Sequence, residues 1–367
     1  MKKLNFFVDC HVFDGGLQGT TTYLKGLYEE LIKNQSCVFY LASCDSAHLK
    51  TVFGQFDNVV YLEYQSHNKF VRLIYDIPRL IKKYKIDYAH FQYIVPPIKL
   101  CKYIVTIHDV LFLDFPQYFP AGYKIKNKFL FRASAKYADV VLTVSPYSQK
   151  QIAKHFKIAD ITVTPNAVDP IFLETYDSES ARNDVETKYD ISQYWLFVSR
   201  WEPRKNHHTL LRVFAENKYY ENYQLVFVGE KALPNKAYED YYAGLNDSVK
   251  SRIKTLNKID HASLVQLVRG ARLSVYPSIA EGFGIPPLES AAAAIPTVCS
   301  NTTAMYDFTF LVNCLFNPLN LSDMKAKIDH ALKDNDMVNQ QAYIQEHYNW
   351  KVAANAFEQA ISRNQSE

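Results

Sequence analysis

The 367-residue sequence has no C-x-x-C cysteine pair, little net charge and no long apolar run. Most of its six cysteines lie in apolar stretches, so we expect buried thiols in a reducing compartment and neither a disulfide framework nor a zinc site. A net charge of +3 is too small to indicate nucleic acid as a partner. No stretch reaches the roughly 18 apolar residues needed to span a membrane. These absences predict a cytoplasmic protein whose membrane contact, if any, is peripheral.

The residues that are present indicate a globular α/β protein. The hydrophobic fraction is 48% and the charged fraction 22%, both typical of a folded chain, and the length suits two domains. The N-terminal apolar stretch is broken at Asp9, which predicts a first strand and not a signal peptide. Strand-like and helix-like patterns then alternate along the chain, and this alternation predicts parallel sheets covered by helices.

The stretch from Tyr276 to Ser290 combines a strand end, a glycine loop and a helix start. Gly282 and Gly284 allow backbone N–H groups to approach an anion closely, and the prolines that follow suit a first helical turn. The orphan N–H groups and the positive end of the helix dipole would add to this seat for a phosphate. Glu281 and Glu289 bracket the seat and are spaced to grip two parts of one ligand. The alternative is an ordinary loop in which Glu289 complements the helix N-terminus.

Two further strand ends carry charged or polar side chains. The apolar strand Tyr194–Ser199 leads into Arg200 and Lys205, which could hold phosphate as a fork and as a point charge. A surface loop with ion pairs to Glu202 is the alternative. His108 ends another strand, where α/β folds place ligands, although it could also cap a loop.

One glycine-rich segment and one basic segment give weaker evidence of a functional site. The loop around Gly16 suggests contact with a phosphate or substrate, but its spacing matches neither the dinucleotide fingerprint nor the P-loop, and a tight turn is an equal alternative. Lys124, Lys128, Arg132 and Lys136 recur every four residues, so we expect them on one helix face with Phe129 elsewhere. This face is either solvated or rests on anionic lipid or a pyrophosphate-linked acceptor. The D-x-D pattern Asp334–Asp336 is interpreted as a solvated turn, and no metal site is predicted.

The segment Glu-Gly-Phe-Gly-Ile-Pro-Pro-Leu-Glu at 281–289 resembles the E-x7-E motif of the family 4 retaining glycosyltransferases. Glu-Pro-Arg-Lys-Asn at 202–206 resembles that family's diphosphate clamp. The resemblance implies a GT-B fold: two Rossmann-like α/β/α domains that face a cleft, an N-terminal acceptor domain over 1–172 and a nucleotide-sugar domain over 173–349. It also implies that a C-terminal helix over 350–367 crosses back to the first domain.

The resemblance further implies a role for each candidate residue. Glu281 would contact the donor sugar, Glu289 the ribose, and Arg200 and Lys205 the pyrophosphate. His108 would face the donor sugar and acceptor, so the catalytic candidates are Glu281, His108, Arg200 and Lys205. The remaining donor-binding candidates are Gly282, Phe283, Gly284 and Ile285 from the motif, Ile259 near the nucleobase, and Gly16. Where the family has glycine, this chain has Asn257, which tolerates a left-handed turn.

The implied reaction is the retaining transfer of a hexose from a nucleotide diphosphate sugar to a hydroxyl of a glycan or lipid-linked glycan, without a metal or other cofactor. The segment from His108 to Pro116 resembles enzymes of bacterial surface polysaccharide synthesis, including lipopolysaccharide mannosyltransferases, which favours GDP-mannose. A UDP-hexose transferase, a phosphorylase or epimerase of the same fold, and a non-catalytic nucleotide-sugar-binding subunit remain as alternatives. The donor base and sugar, the acceptor, the linkage and the oligomeric state are left open by the sequence.

Overall fold

A computed structural model describes residues 3–15, 19–333 and 337–366. The chain forms two compact units, Met1–Ala167 with Trp350–Glu367, and Val168–Asn349. The boundary between them therefore lies a few residues before position 172, where the sequence placed it, because the turn Pro170–Leu173 belongs to the second unit. Each unit is an α/β domain built on its own parallel sheet.

Among its described residues, the first unit has a seven-stranded parallel sheet in the order β3-β2-β1-β4-β5-β6-β7. The central strands are buried on both faces, as their runs of apolar residues require when helices cover a sheet from both sides. The strands are β1 (Leu4–Asp9), β2 (Cys37–Ser43), β3 (Val59–Glu63), β4 (Tyr88–Gln92), β5 (Lys102–Thr106), β6 (Val140–Thr143) and β7 (Thr162–Val163).

The described part of the second unit has a six-stranded parallel sheet in the order β10-β9-β8-β11-β12-β13. Its strands are β8 (Tyr194–Val198), β9 (Gln224–Val228), β10 (Ile253–Leu256), β11 (Leu273–Tyr276), β12 (Thr297–Ser300) and β13 (Leu315–Phe316). In both sheets the chain runs outward from the first strand on one side and then returns to its other side. The topological switch point of this sheet therefore lies between β8 and β11. In α/β sheets, ligands bind at the carboxyl ends of the strands at such a point.

The helices follow the predicted alternation with the strands. In the first unit they are α1 (Gly19–Leu31), α2 (Ser46–Phe53), α3 (Lys69–Val71), α4 (Ile77–Tyr84), α5 (Leu111–Asp114), α6 (Ala121–Tyr137) and α7 (Pro146–Phe156). In the second unit they are α8 (Ser178–Tyr189), α9 (His207–Glu216), α10 (Lys236–Ala243), α11 (Asp247–Lys250), α12 (His261–Arg269), α13 (Ile285–Ala292), α14 (Leu321–Ala331) and α15 (Met337–His347). The last helix, α16 (Trp350–Ser366), belongs to the first unit.

Helix α16 packs against the first unit, which confirms the predicted return of the chain. Its Phe357 ring lies 6.1 Å from the ring of Phe6 on β1. Near its end, Tyr88 Oη donates a hydrogen bond to Asn364 Oδ1 at 3.2 Å. Helix α16 thus completes the packing of the first unit.

The position of Phe129 on α6 differs from the prediction. Lys124 is half-buried, and its Nζ donates to the carbonyl of Pro116 at 3.0 Å. Phe129 does not face elsewhere: it is 74% exposed, and Ile125 is 75% exposed. Successive residues lie about 100° apart around a helix, so both apolar side chains share the solvent face with Arg132. The solvent face of α6 therefore mixes apolar and basic side chains.

Within residues 3–15, 19–333 and 337–366, no helix has the length and apolar character required to cross a bilayer.

The contact between α1 and α16 gives a test of the fold. A Cβ atom at Gly26 would overlap the indole ring of Trp350, so Gly26→Ala should lower the free energy of unfolding by about 1–3 kcal/mol through overpacking. Urea unfolding followed by circular dichroism measures this change. Gly122→Ala is the matched control, because a Cβ at Gly122 meets no atom within 4 Å. Equal effects of the two substitutions would contradict the proposed fit.

Candidate active site

The loops that carry the two charged motifs meet at the carboxyl ends of the strands of the second sheet. Strands β8 and β11 are neighbours, with Leu273 paired to Trp195. The loop after β8 carries Arg200–Lys205, and the loop after β11 carries Glu281. Because parallel strands end at the same edge, the sheet brings these loops together.

The glycine loop takes a backbone conformation at Gly284 that other residues rarely adopt. Gly284 has φ of +113° and precedes α13, and a Cβ there would lie 3.0 Å from Met305 Cγ. Phe283 is buried, with its ring 5.8 Å from that of Phe308 and 6.0 Å from that of Tyr348. Of the predicted donor-binding residues, Phe283 therefore directs its side chain into the protein core, where it anchors the loop.

Glu281 lies between two cations. Its Oε1 atom is 2.6 Å from Lys205 Nζ, and its Oε2 atom is 3.1 Å from Arg204 Nη1. Burial alone would raise the pKa of this carboxyl, but the charges of Lys205 and Arg204 outweigh it and lower the pKa to about 2. Glu281 is therefore ionised at neutral pH, and the structure brings two of the predicted residues, Glu281 and Lys205, into direct contact.

Arg204 has a larger part in the site than the sequence indicated. Its Nε donates to Glu202 Oε2 at 2.9 Å, and its Nη1 donates to the carbonyl of Ala280 at 2.7 Å. Its own carbonyl accepts a hydrogen bond from Ile279 N at 2.8 Å. Arg204 thus ties the two loops together. The signal for this was the adjacency of Arg204 and Lys205, which implies more than one carboxylate partner nearby.

Two uncharged residues complete the support, through contacts that the sequence did not indicate. Asn206 is buried with φ of +61°, and its Nδ2 donates to the carbonyls of Pro277 and Pro318 at 3.2 and 2.9 Å. Thr303 accepts a hydrogen bond from Glu281 N at 2.9 Å through its Oγ1. Such contacts depend on tertiary structure that no local pattern encodes.

Arg200 stands apart from this cluster. Its side chain is 59% exposed, and its Nη1 lies 3.8 Å from Glu202 Oε1. The predicted ion pair with Glu202 is thus present but loose. Most of the Arg200 guanidinium remains open to solvent and to any anion that approaches the edge of the sheet.

Glu289 has the opposite electrostatic state from Glu281. In the part of the chain that the structure describes, its carboxyl makes no hydrogen bond or ion pair. Burial, with a smaller contribution from the charge of Asp169, raises its pKa to about 8. Asp169 itself lies 3.2 Å from His261 Nε2 through its Oδ2. Glu289 is therefore largely protonated at neutral pH.

In the loop between β10 and α12, the left-handed residue differs from the one that the sequence predicted. Lys258, with φ of +53°, takes the left-handed conformation that was expected of Asn257. Ile259 is half-buried beside Asp260, whose side chain caps α12 by accepting from Ser263 N at 2.8 Å.

His108 lies in the first unit, just after β5. Its Nε2 is 2.7 Å from Gln92 Oε1, which can only accept, so the ring proton is on Nε2. Tyr23 and Tyr93 pack against the ring, and burial lowers its pKa to about 3. His108 is therefore neutral at physiological pH. Gly16 lies outside the described residues.

Among residues 3–15, 19–333 and 337–366, no three His, Cys, Asp or Glu side chains are grouped to hold a metal ion. The Asp334–Asp336 pattern lies outside these residues.

Two family models match the chain, one over most of the first unit and one over most of the second unit and the start of α16. "Glycosyltransferase Family 4" matches residues 17–172, and "Glycosyl transferases group 1" matches residues 179–360. The chain is 26% identical over 302 residues to O-antigen chain mannosyltransferase B of Escherichia coli, covering 73% of this chain and 75% of that protein. It is 29% identical over 214 residues to O-antigen chain mannosyltransferase RfbU of Salmonella typhimurium, a match that spans 55% of this chain and 53% of that protein.

A solved structure of Anabaena HepE in complex with UDP-glucose resembles the whole chain. The TM-score is 0.74 at 15% identity, with coverage of 98% of this chain and 99% of that chain. At this level of identity the likeness shows the fold.

The raised pKa of Glu289 gives a test by pH. Between its ordinary value of 4.5 and about 8, the unfolded chain releases a proton that folded Glu289 keeps. The contribution of this group to stability is therefore complete below pH 4.5 and is lost as the pH rises towards 8. Glu289→Gln removes the titration, so its melting temperature relative to wild type should be higher at pH 8 than at pH 5.

Thermal unfolding at both pH values measures the difference. Glu239→Gln, at an exposed position, is the control for removing one carboxyl group. An unchanged difference between Glu289→Gln and wild type across this range would mean that folded Glu289 is already ionised.

Proposed function

Because this chain belongs to the family 4 glycosyltransferases and has their GT-B fold, we propose that it transfers mannose from GDP-mannose to a hydroxyl of a lipid-linked glycan. The transfer would retain the anomeric configuration and serve surface polysaccharide synthesis at the inner face of the plasma membrane. The observation that carries the proposal is the cluster of Arg204, Lys205 and Glu281 at the switch point of the second sheet. The O-antigen mannosyltransferases among its relatives support mannose as the sugar.

The cations of the second unit are suited to the charge that the reaction develops. As the bond from sugar to diphosphate breaks, negative charge grows on the leaving oxygens. Arg200 has an exposed fork that can bind two phosphate oxygens, and Lys205 holds a fixed position beside Glu281. The backbone N–H groups of Gly284 and Ile285 and the positive end of the α13 dipole add to these, whereas Pro286 and Pro287 have no N–H to donate. Preorganised charges of this kind account for most of the rate enhancement in many enzymes, so we propose that no metal is needed.

The carboxylates of Glu281 and Glu289 would bind different parts of the donor. Ionised Glu281 can only accept hydrogen bonds, which suits the hydroxyl groups of the sugar. Glu289 can accept or donate according to its protonation, and binding of the ribose hydroxyls would favour the ionised form. Donor affinity should therefore increase as the pH rises towards 8.

His108 would act on the hexose or acceptor as a neutral hydrogen-bonding group. With the ring proton on Nε2 and held by Gln92, Nδ1 is left as an acceptor for a hydroxyl group. A pKa of about 3 makes the ring a weak base. The proposal therefore assigns the proton of the attacking hydroxyl to the leaving phosphate, on the face from which the phosphate departs.

Binding and turnover test the donor proposal. At about 100 times its dissociation constant, the correct nucleoside diphosphate should add roughly 2.7 kcal/mol to the stability of the folded protein. We expect GDP to raise the melting temperature, with and without EDTA, and Arg200→Gln to lower kcat with GDP-mannose by about 100-fold. Arg212→Gln is the control, because its pair with Glu216 lies on the surface of α9.

Other outcomes of these measurements would change the proposed donor, mechanism or function. A shift with UDP alone would replace GDP-mannose by a UDP-hexose. A shift that EDTA removes would overturn the metal-free mechanism. Binding without transfer to any lipid-linked acceptor would favour a nucleotide-sugar-binding subunit. Full kcat in Arg200→Gln would remove this residue from the mechanism.

The solvent face of α6 supports peripheral contact with an anionic membrane. Ile125 and Phe129 expose apolar side chains on this face beside exposed Lys128, Arg132 and Lys136, and half-buried Lys124 lies at its edge. This is the pattern of a helix that lies in the membrane interface, with apolar side chains in the acyl boundary and basic ones among the headgroups. Each basic residue near such a surface contributes about 1 kcal/mol.

Vesicle binding tests this face. Replacing Ile125 and Phe129 by Ser should weaken binding to phosphatidylglycerol vesicles by about tenfold or more, because the buried apolar area is lost. Co-sedimentation at two salt concentrations measures both the apolar and the charge contributions. Leu319→Ser, which removes an equally exposed apolar residue from the second unit, is the control. Equal binding by all variants, or equal binding to phosphatidylcholine vesicles, would contradict the proposed contact.

A further inference from the structure

A hollow of about 820 Å³ lies at the other end of the second sheet from the candidate active site. Gln193, Arg272 and Pro296, which line it, immediately precede β8, β11 and β12. The loops that carry Lys205 and Glu281 leave the opposite ends of the first two of these strands. The hollow is thus separate from the proposed donor site, and its volume is within the range of small-molecule sites.

Two guanidinium groups face this hollow without sufficient counter-charge. Arg182, from α8, makes no hydrogen bond or ion pair within the described part of the chain, and its Nε is buried without a partner. Arg272 donates from Nε to the neutral amide oxygen of Gln193 at 2.8 Å. Burial and the neighbouring charge of Arg182 lower the pKa of Arg272, as expected for two like charges that lie close together.

The acidic residue of the lining does not neutralise this pair directly. Glu174 Oε2 lies 3.7 Å from Nη2 of a third arginine, Arg269. Arg269 in turn lies over the ring of Tyr176, 4.8 Å from its centroid. Arg182 and Arg272 therefore remain two partly buried cations of the same sign beside an open space. A buried polar or charged group without a partner is costly, and an anion between the two would remove that cost.

We propose that this hollow binds a phosphate-bearing metabolite of the size of a sugar phosphate or a nucleotide. The planar guanidinium forks of Arg182 and Arg272 match the geometry of phosphate oxygens. Tyr176 and Tyr223 provide aromatic walls, and Ser178 and Gln193 provide polar groups for the rest of the ligand. The inference stands independently of the reaction proposed above, because none of these residues belongs to the donor site.

Calorimetry with inorganic pyrophosphate tests the proposal. Pyrophosphate should bind wild-type protein at two sites, one in the hollow and one at the donor site. Arg182→Gln and Arg272→Gln should each weaken one site by about tenfold or more and leave the other unchanged. Arg200→Gln should weaken the other site only. Arg182→Lys, which keeps the charge but loses the fork, should fall between wild type and Arg182→Gln.

A second measurement separates binding from folding. Without ligand, Arg182→Gln should melt at or above the wild-type temperature, because the substitution removes an unpartnered charge and its repulsion of Arg272. Binding isotherms of Arg182→Gln and Arg272→Gln that match wild type would overturn the proposal, whatever the result at the donor site. A lower melting temperature of Arg182→Gln, without a loss of pyrophosphate binding, would show a structural role and also overturn it.

Discussion

The ion pair between Lys205 and Glu281 is the interaction on which the rest of the site depends. It joins two loops that are far apart in the sequence and adjacent only because β8 and β11 are neighbours. Desolvation opposes the burial of either charge, so the pair is stable only with further partners. Arg204 is such a partner of the Glu281 carboxylate and also fixes the loop backbone at Ala280, while Thr303 accepts a hydrogen bond from the backbone N–H of Glu281. The geometry offered to a ligand is therefore set before the ligand arrives.

The two glutamates of one motif show how strongly position governs chemistry. Both are largely removed from water, yet cations surround Glu281, whereas the nearest charge to Glu289 is another carboxylate. Desolvation acts in the same direction on both, and the neighbouring charges decide which of them is ionised. The motif gives only the residue type, glutamate, at both positions. The folded protein makes one a fixed anion and the other a group that can exchange its proton when a ligand binds.

The sequence predicted the fold well and the site only in part. The apolar run Tyr194–Ser199 predicted β8 to within one residue of its observed end, because buried parallel strands are continuous apolar segments. The local motifs also located Glu281, Lys205 and Gly284. The bracing by Arg204 and Asn206, and the protonation of Glu289, arise from groups distant in the sequence, and no local pattern encodes them. The solvent face of α6 was predicted wrongly because Phe129 was expected on another face, although it follows the exposed Ile125 by four residues.

The return of α16 to the first unit makes the second unit an insertion within the first. Residues 168–349 can form their sheet and helices while the ribosome still holds the remainder of the chain. The first unit is not fully packed at that stage, since Phe357 and Trp350 complete its packing. The usual order, in which the N-terminal domain folds first, therefore leaves the first unit incomplete while the second unit is made. Until residues 350–366 emerge, the surfaces of β1 and α1 that they cover stay exposed, and chaperones would find their binding site on the half of the protein made earliest.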